Sequence, residues 1–198
     1  MVRDICPAAP GGKDWQPSAW SPRTKLLYVP HQNLCQDEVV SETGYIAGTP
    51  YVGADIKMKA GPGGSRGRFT AWDPVARRKA WEIREDFPVW SGALATAGDV
   101  VFYGTMDSWF KAVDAKTGDV LWKYKTASGI IGQPVSYRGP DGHQYVAVLA
   151  GVGGWAGAVV SGDLDPRDGS AALGMVNAMR DLPAVTKKGG MLYVFRLP

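Results

Sequence analysis

Short apolar runs closed by turn residues dominate the chain and read as strands rather than helices. They fall at "LLYVP" (26–30), "DVVFYGT" (99–105), "WFKAVD" (109–114), "VLWKYK" (120–125), "QYVAVLAG" (144–151) and "MLYVFRLP" (191–198). Helical periodicity is almost absent. Only "AALGMVNAMRD" (171–181) could make a short helix, inside a long loop insertion running from about 156 to 190.

Two stretches match each other. "FTAWDPVARRKAW" (69–81) and "FKAVDAKTGDVLW" (110–122) share Phe69/Phe110, Ala71/Ala112, Asp73/Asp114 and Trp81/Trp122, all offset by 41. A period of about 40–45 residues with an aromatic anchor is the mark of propeller blades. In each unit the Asp caps a turn through its carboxylate and the Trp packs between neighbouring blades. Gly118 can take positive φ; the first copy has Arg77 there, so the two turns are expected to differ. With 26 Gly and 14 Pro between short strands, the expected fold is all-β, a propeller. At this period 198 residues supply only about four blades once insertions are counted. A propeller cut there exposes raw strand edges, so the chain is expected to be the C-terminal part of a larger propeller or to assemble with a missing half.

Composition narrows the partners. The net charge of +3 comes from 22 basic and 19 acidic residues scattered along the chain, so no nucleic-acid stripe and no membrane-binding basic helix stands out. Arg77-Arg78-Lys79, the densest cluster, reads as a solvated turn. No apolar run is long enough to span a bilayer, and "MVRDICPAAPGGKDW" lacks the apolar core of a secretory signal. The two cysteines, Cys6 and Cys35, fit either a single disulfide in an oxidising compartment or two unrelated buried thiols.

In order along the chain, "DICP", "GGKDWQPSAWSP", "LLYVPHQNLC", "AGTPYVGA", "VWSGALATAGDVVFYGTMD", "FKAVDAKTGDVLW", "SGIIGQP", "QYVAVLAGVGGWAG" and "GGMLYVFRLP" resemble the C-terminal third of the pyrroloquinoline-quinone (PQQ) dependent methanol and ethanol dehydrogenases. The pattern Ala112-x-Asp114-x-x-x-Gly118-x-x-x-Trp122 resembles the tryptophan-docking motif that staples that family's eight-bladed propeller. The resemblance implies a cofactor site at the propeller axis. Trp90 of "VWSG" corresponds to an indole at the PQQ edge, where small neighbours (Ser91, Gly92, Ala93) let a planar acid approach and the N–H can donate a hydrogen bond. Asp14 of "GGKDW" matches an Asn or Asp near the quinone oxygens, and an Asp there resembles the lanthanide-dependent branch more than the calcium-dependent one. Gly154 and Trp155 of "GVGGWAG" match the segment at the cofactor and substrate cavity. The same stretch, Gly151-x-Gly153-x-x-Ala156, fits a dinucleotide fingerprint on paper, but no helix is expected to follow it.

The resemblance further implies a Cys6–Cys35 disulfide and a periplasmic setting, while His31 and His143, matching no catalytic position, read as surface or loop residues. In the family a lanthanide or calcium ion polarises the quinone, an Asp takes the alcohol proton, and hydride passes to the quinone. The ion's ligands and that base belong to segments before this chain. The implied function is therefore part of a quinoprotein alcohol dehydrogenase, inactive alone, with a primary alcohol as substrate, a c-type cytochrome as electron acceptor, the missing propeller half as partner, and a homodimer among its assemblies. The competing reading is a non-catalytic PQQ-repeat propeller that docks proteins; it needs only the tryptophan pattern and gives no reason to keep "GGKDW", "VWSG" and "GVGGW" together.

Overall fold

The computed structural model describes residues 1–48, 51–165 and 167–196. Thr49 and Pro50 of the "AGTPYVGA" stretch, Pro166 of the expected insertion and the closing Leu197-Pro198 lie outside them. Fourteen strands in four sheets carry the described fold. Blade I contains β2 (Ala19–Ser21), β3 (Leu26–Gln32), β6 (Gly67–Asp73) and β7 (Arg78–Glu85), in that order. Blade II runs β8 (Leu94–Ala95), β9 (Val100–Gly104), β10 (Trp109–Asp114), β11 (Val120–Lys125). Blade III has three strands, β12 (Val135–Arg138), β13 (Gln144–Gly151) and β14 (Gly190–Arg196). All pairings within the blades are antiparallel. The fourth sheet, ordered β1 (Val2–Ile5), β4 (Leu34–Val40), β5 (Ala54–Ala60), is built on a hairpin inserted between β3 and β6. Three successive blades and one inserted sheet stand where about four blades were expected. Cys6, just after β1, is disulfide-bonded to Cys35 on the central strand β4.

Each blade buries one face against the next because alternate residues point to opposite sides of a strand. Between blades I and II lie Tyr28, Phe69, Ala71, Val101, Tyr103 and Val113. Phe69 and Tyr103 stack at 4.0 Å. Between blades II and III lie Phe102, Phe110, Ile130, Val146 and Val148.

The repeat is a staple. Trp81 on β7 donates its indole N–H to the Ala115 carbonyl in the β10–β11 turn of blade II, at 3.1 Å. Its ring lies over Gly118, where a Cβ would meet ring atoms at 2.8 Å. The two turns do not differ as expected. Asp73 Oδ1 accepts the N–H groups of Val75 and Ala76, and Asp114 Oδ1 those of Lys116 and Thr117. Arg77 has φ 53° where Gly118 has 81°, so both turns pass through the left-handed region. The carboxylate cap sets this geometry, and a non-glycine residue there costs only about 1–2 kcal/mol.

Trp122, the matching residue on β11, meets no such turn among the described residues. It is 39% exposed, edge-on to Phe195 at 5.0 Å, beside a groove of about 650 Å³ lined also by Leu121 and Val100. The far edge of β14 pairs with no strand among the described residues, and Met191, Leu192 and Val194 are exposed on it.

The insertion is more helical than expected. It folds as α1 (Gly154–Ser161), α2 (Met175–Met179) and α3 (Leu182–Val185). The helix expected over 171–181 starts only at Met175, because Ala172, Leu173 and Gly174 all take positive φ. A helix does follow Gly151-x-Gly153, contrary to expectation, because "GWAGAVVS" is apolar nearly all round and carries no amphipathic period to read. The dinucleotide reading fails on another ground: β13 and β14 are antiparallel, so no βαβ unit exists.

Gly118→Ala is expected to destabilise the protein by about 2–4 kcal/mol, summing left-handed strain and overpacking against Trp81. Arg77→Gly, at the matched position with no indole above it, should stay within about 1 kcal/mol of the parent. Chemical denaturation of both variants checks the pair.

Candidate functional site

The third apolar cluster joins Trp90 and Met106 at the blades, Leu34 and Met58 of the inserted sheet, and Ala156, Met175, Met179 and Leu182 of the helical cap, with Trp155 packed against it. Trp90 is 1% exposed. Its indole N–H, expected to be free for a ligand, donates to Gln32 Oε1. Gln32 in turn donates to the carbonyls of Pro10 (2.7 Å) and Gly11 (2.9 Å), so one buried amide ties Trp90 to the loop that leads to Asp14. Trp15, 56% exposed, lies across Trp90 with ring centroids 5.3 Å apart.

The small residues after Trp90 have a packing reason the sequence did not disclose. A Cβ on Gly92 would collide with Pro17 and Gln133, at 2.6 and 2.7 Å. Ser91 Oγ donates to the Gly132 carbonyl (2.9 Å) and accepts the Gly104 N–H (3.0 Å), and the Ala93 N–H bonds the Pro17 carbonyl. Three segments meet there within backbone contact.

Of the expected site residues, Trp90 and Trp155 share one cluster. Asp14 stands exposed in the loop beside Trp15. Gly154 opens α1 with φ 53° and nothing within 4 Å of where a Cβ would sit. Trp15 and Gln32 were missed, although Trp15 adjoins Asp14 and Gln32 sits at the inward-facing end of β3. His143 is an exposed turn residue, whereas His31 lies half-buried on β3 and accepts or donates a 2.9 Å bond with Thr70 Oγ1. Among the described residues no group of three or more His, Cys, Asp or Glu side chains could hold a metal.

Arg66 fixes the cap to the blades. Its guanidinium forms a two-pronged ion pair with Asp181 and donates to the carbonyls of Ala178 (2.7 Å) and Asp86, while lying 4.0 Å over the Phe87 ring, three residues before Trp90. The Arg66 hydrogen bond, aided by its charge, holds the Asp181 carboxyl below the ordinary range. Asn177 Nδ2 donates to the Met58 carbonyl and anchors the cap to the inserted sheet.

Residues 65–146 match the family model described as "PQQ: Glucose/ethanol/alcohol dehydrogenase, beta-propeller domain". The lanthanide-dependent methanol dehydrogenase of Methylacidiphilum fumariolicum (strain SolV) is 52% identical over 99% of this chain and 33% of its own length. Methanol dehydrogenase [cytochrome c] subunit 1 of Methylobacterium organophilum is 41% identical over 100% of the chain and 32% of its own. A solved europium-containing methanol dehydrogenase superposes with a TM-score of 0.93 at 52% identity, covering 98% of this chain and 35% of the other. The chain belongs to the PQQ-dependent methanol and ethanol dehydrogenase family. It spans about a third of the length of the curated relatives it matches. Trp15 is exposed, Trp155 is half-buried, and Gly153 and Gly154 have nothing within 4 Å of where a Cβ would sit.

Two outcomes test this construction. Gln32→Leu leaves the Trp90 N–H and two loop carbonyls without their partner and should cost about 1–3 kcal/mol, with a shifted tryptophan emission as the loop loosens. Asp181, depressed in the folded state, contributes stability above its unfolded pKa of about 3.9 that is lost as pH falls through the folded value. Amide exchange over 175–185, corrected for intrinsic rates, should be faster in Asp181→Asn than in the parent at pH 7, and the difference should shrink as pH falls below about 3.9.

Proposed function

We propose that this chain is the part of a quinoprotein alcohol dehydrogenase that forms one wall of the PQQ site, in a complete enzyme of eight blades oxidising methanol or another primary alcohol. The observation that carries the reading is the cluster at the junction of blades and cap that holds Trp90, with Trp155 packed against it and Trp15 lying across Trp90 from the loop. When bound, PQQ supplies the hydride acceptor, and a lanthanide or calcium ion held mainly by the rest of the enzyme supplies Lewis acidity. Trp15 and Trp155 would offer ring faces to the cofactor, Gly154 an open approach, and Asp14 a carboxylate of the kind that the lanthanide branch carries near the quinone oxygens. Trp90 acts from behind Trp15, its N–H held by Gln32, and so orients the wall rather than donating to the cofactor. By itself the chain is expected to be inactive.

One relative is named for cytochrome c, which supports a c-type cytochrome as the electron acceptor. The disulfide supports an oxidising compartment, the periplasm, and no helix of the described residues is long and apolar enough to cross a membrane. The groove at Trp122 and the free edge of β14 are places for the missing propeller half to close the ring, and a homodimer of the complete enzyme is a further assembly level.

In the complete polypeptide, Trp15→Ala and Trp155→Ala, neither of them fully buried, should each lower the PQQ content of purified protein several-fold without loss of folding. Unchanged cofactor content in both variants would remove the wall from the site. Alcohol-dependent dye reduction by the complete polypeptide, with none by residues 1–198 alone, completes the test.

A further inference from the structure

We propose that the face of blade I turned away from blade II is a seam for a neighbouring sheet of the complete propeller that presents carboxylates to it and lacks an indole staple. The inference rests on reading the chain as part of a larger propeller.

The two sides of blade I differ in chemistry. Toward blade II it is aromatic and aliphatic. The opposite side carries Val29 and His31 on β3, Arg68, Thr70 and Trp72 on β6, and Lys79, Glu82 and Arg84 on β7, with a cavity of about 510 Å³, bordered also by Lys13, over most of this group, so charged groups stand there among apolar ones. Glu82 accepts from Arg68 Nη1 (3.0 Å), Lys79 Nζ (2.9 Å) and Thr70 Oγ1 (3.2 Å). Arg84 is paired in register with Arg68, and the two guanidinium groups converge beside Gly63. Burial pushes the His31 pKa down, so the ring adds no charge at neutral pH. Arg68 and Lys79 thus share the Glu82 carboxylate, and Arg84 adds a third cation to the face. Arg68 Nε is buried and meets no acceptor among the described residues. Arg77-Arg78-Lys79 is thus not wholly a solvated turn, since Lys79 belongs to this network.

Covering such a face with a neutral sheet would bury uncompensated positive charge, which is unfavourable even after relaxation. Carboxylates on the covering strand remove that cost by pairing with the Arg68, Arg84 and Lys79 cations. The absence of a staple follows from the turn. Trp81 lies flat on blade II only because position 118 has no side chain, and the matching position in blade I is Arg77, whose Cβ occupies the space an indole would need.

A structure of the complete polypeptide, with carbodiimide coupling in solution, decides the matter. The expected result is a strand from outside residues 1–198 over this face, a carboxylate oxygen within hydrogen-bond distance of Arg68, Arg84 or Lys79, and a coupled peptide joining Lys79 to an outside Asp or Glu. A covering sheet without that carboxylate, an indole stacked on the 73–77 turn, or coupling of Lys79 to Glu82 alone overturns the inference and leaves the partial propeller standing. A face left bare, or covered by a second copy, overturns both.

Discussion

A single indole sets how blades I and II meet. Trp81 spans the seam with its ring over Gly118 and its N–H on the Ala115 carbonyl, so apolar area and a directed hydrogen bond act through one rigid side chain. Everything behind it depends on that spacing. Tyr28 donates to the same Ala115 carbonyl at 3.0 Å, and the Phe69–Tyr103 stack leaves the Tyr103 hydroxyl 2.6 Å from Glu85. Lys111 completes the seam with an ion pair to Glu85 at 2.7 Å, both groups nearly enclosed. An ion pair so enclosed is weak evidence for net stability, but its removal from one side only would leave a buried charge. The seam is therefore specified twice, by an indole that needs a glycine and by a tyrosine that needs a glutamate.

The candidate site inherits this geometry. Trp90 follows β7 by a short link through Phe87, so the position of blade I determines where the indole stands, and Gln32 on β3 fixes its orientation. The cap then has to be brought to it. Arg66 does so by holding Ala178 and Asp181 with one end of its side chain and the Asp86–Phe87 segment with the other. Blades, loop and cap meet through two polar side chains, Gln32 at the end of β3 and Arg66 in the bend immediately before β6.

How far the sequence disclosed this can be judged residue by residue. The strands 109–114 and 120–125 were readable to the residue because turn chemistry brackets them: the Asp114 carboxylate caps the turn between them whatever lies around it. Arg77 was misread because intrinsic preference points away from positive φ, and only the cap overrides it. Helix α1 was missed because a segment apolar all round has no period to display. The resemblance identified Trp90 and Trp155, but the reason for Gly92 was non-local: Pro17 and Gln133 fill its side-chain space from 75 and 41 residues away, and no local pattern encodes such a contact. Gln32 and Arg66 were invisible for the same reason.

The chemistry of the two ends limits how the ring can close. At one end Trp122 and Phe195 border an apolar groove beside the unpaired edge of β14; at the other stands a cationic face behind a turn that carries Arg77. A head-to-tail contact between copies of this chain would set Trp122 against that turn, where Arg77 denies the indole the seat that Gly118 gives Trp81, and would bury the surplus cations against an aromatic surface. The two ends are therefore not complementary to each other. On the proposed reading, the surface that closes on Trp122 carries a glycine-bearing turn and the surface that closes on blade I carries carboxylates.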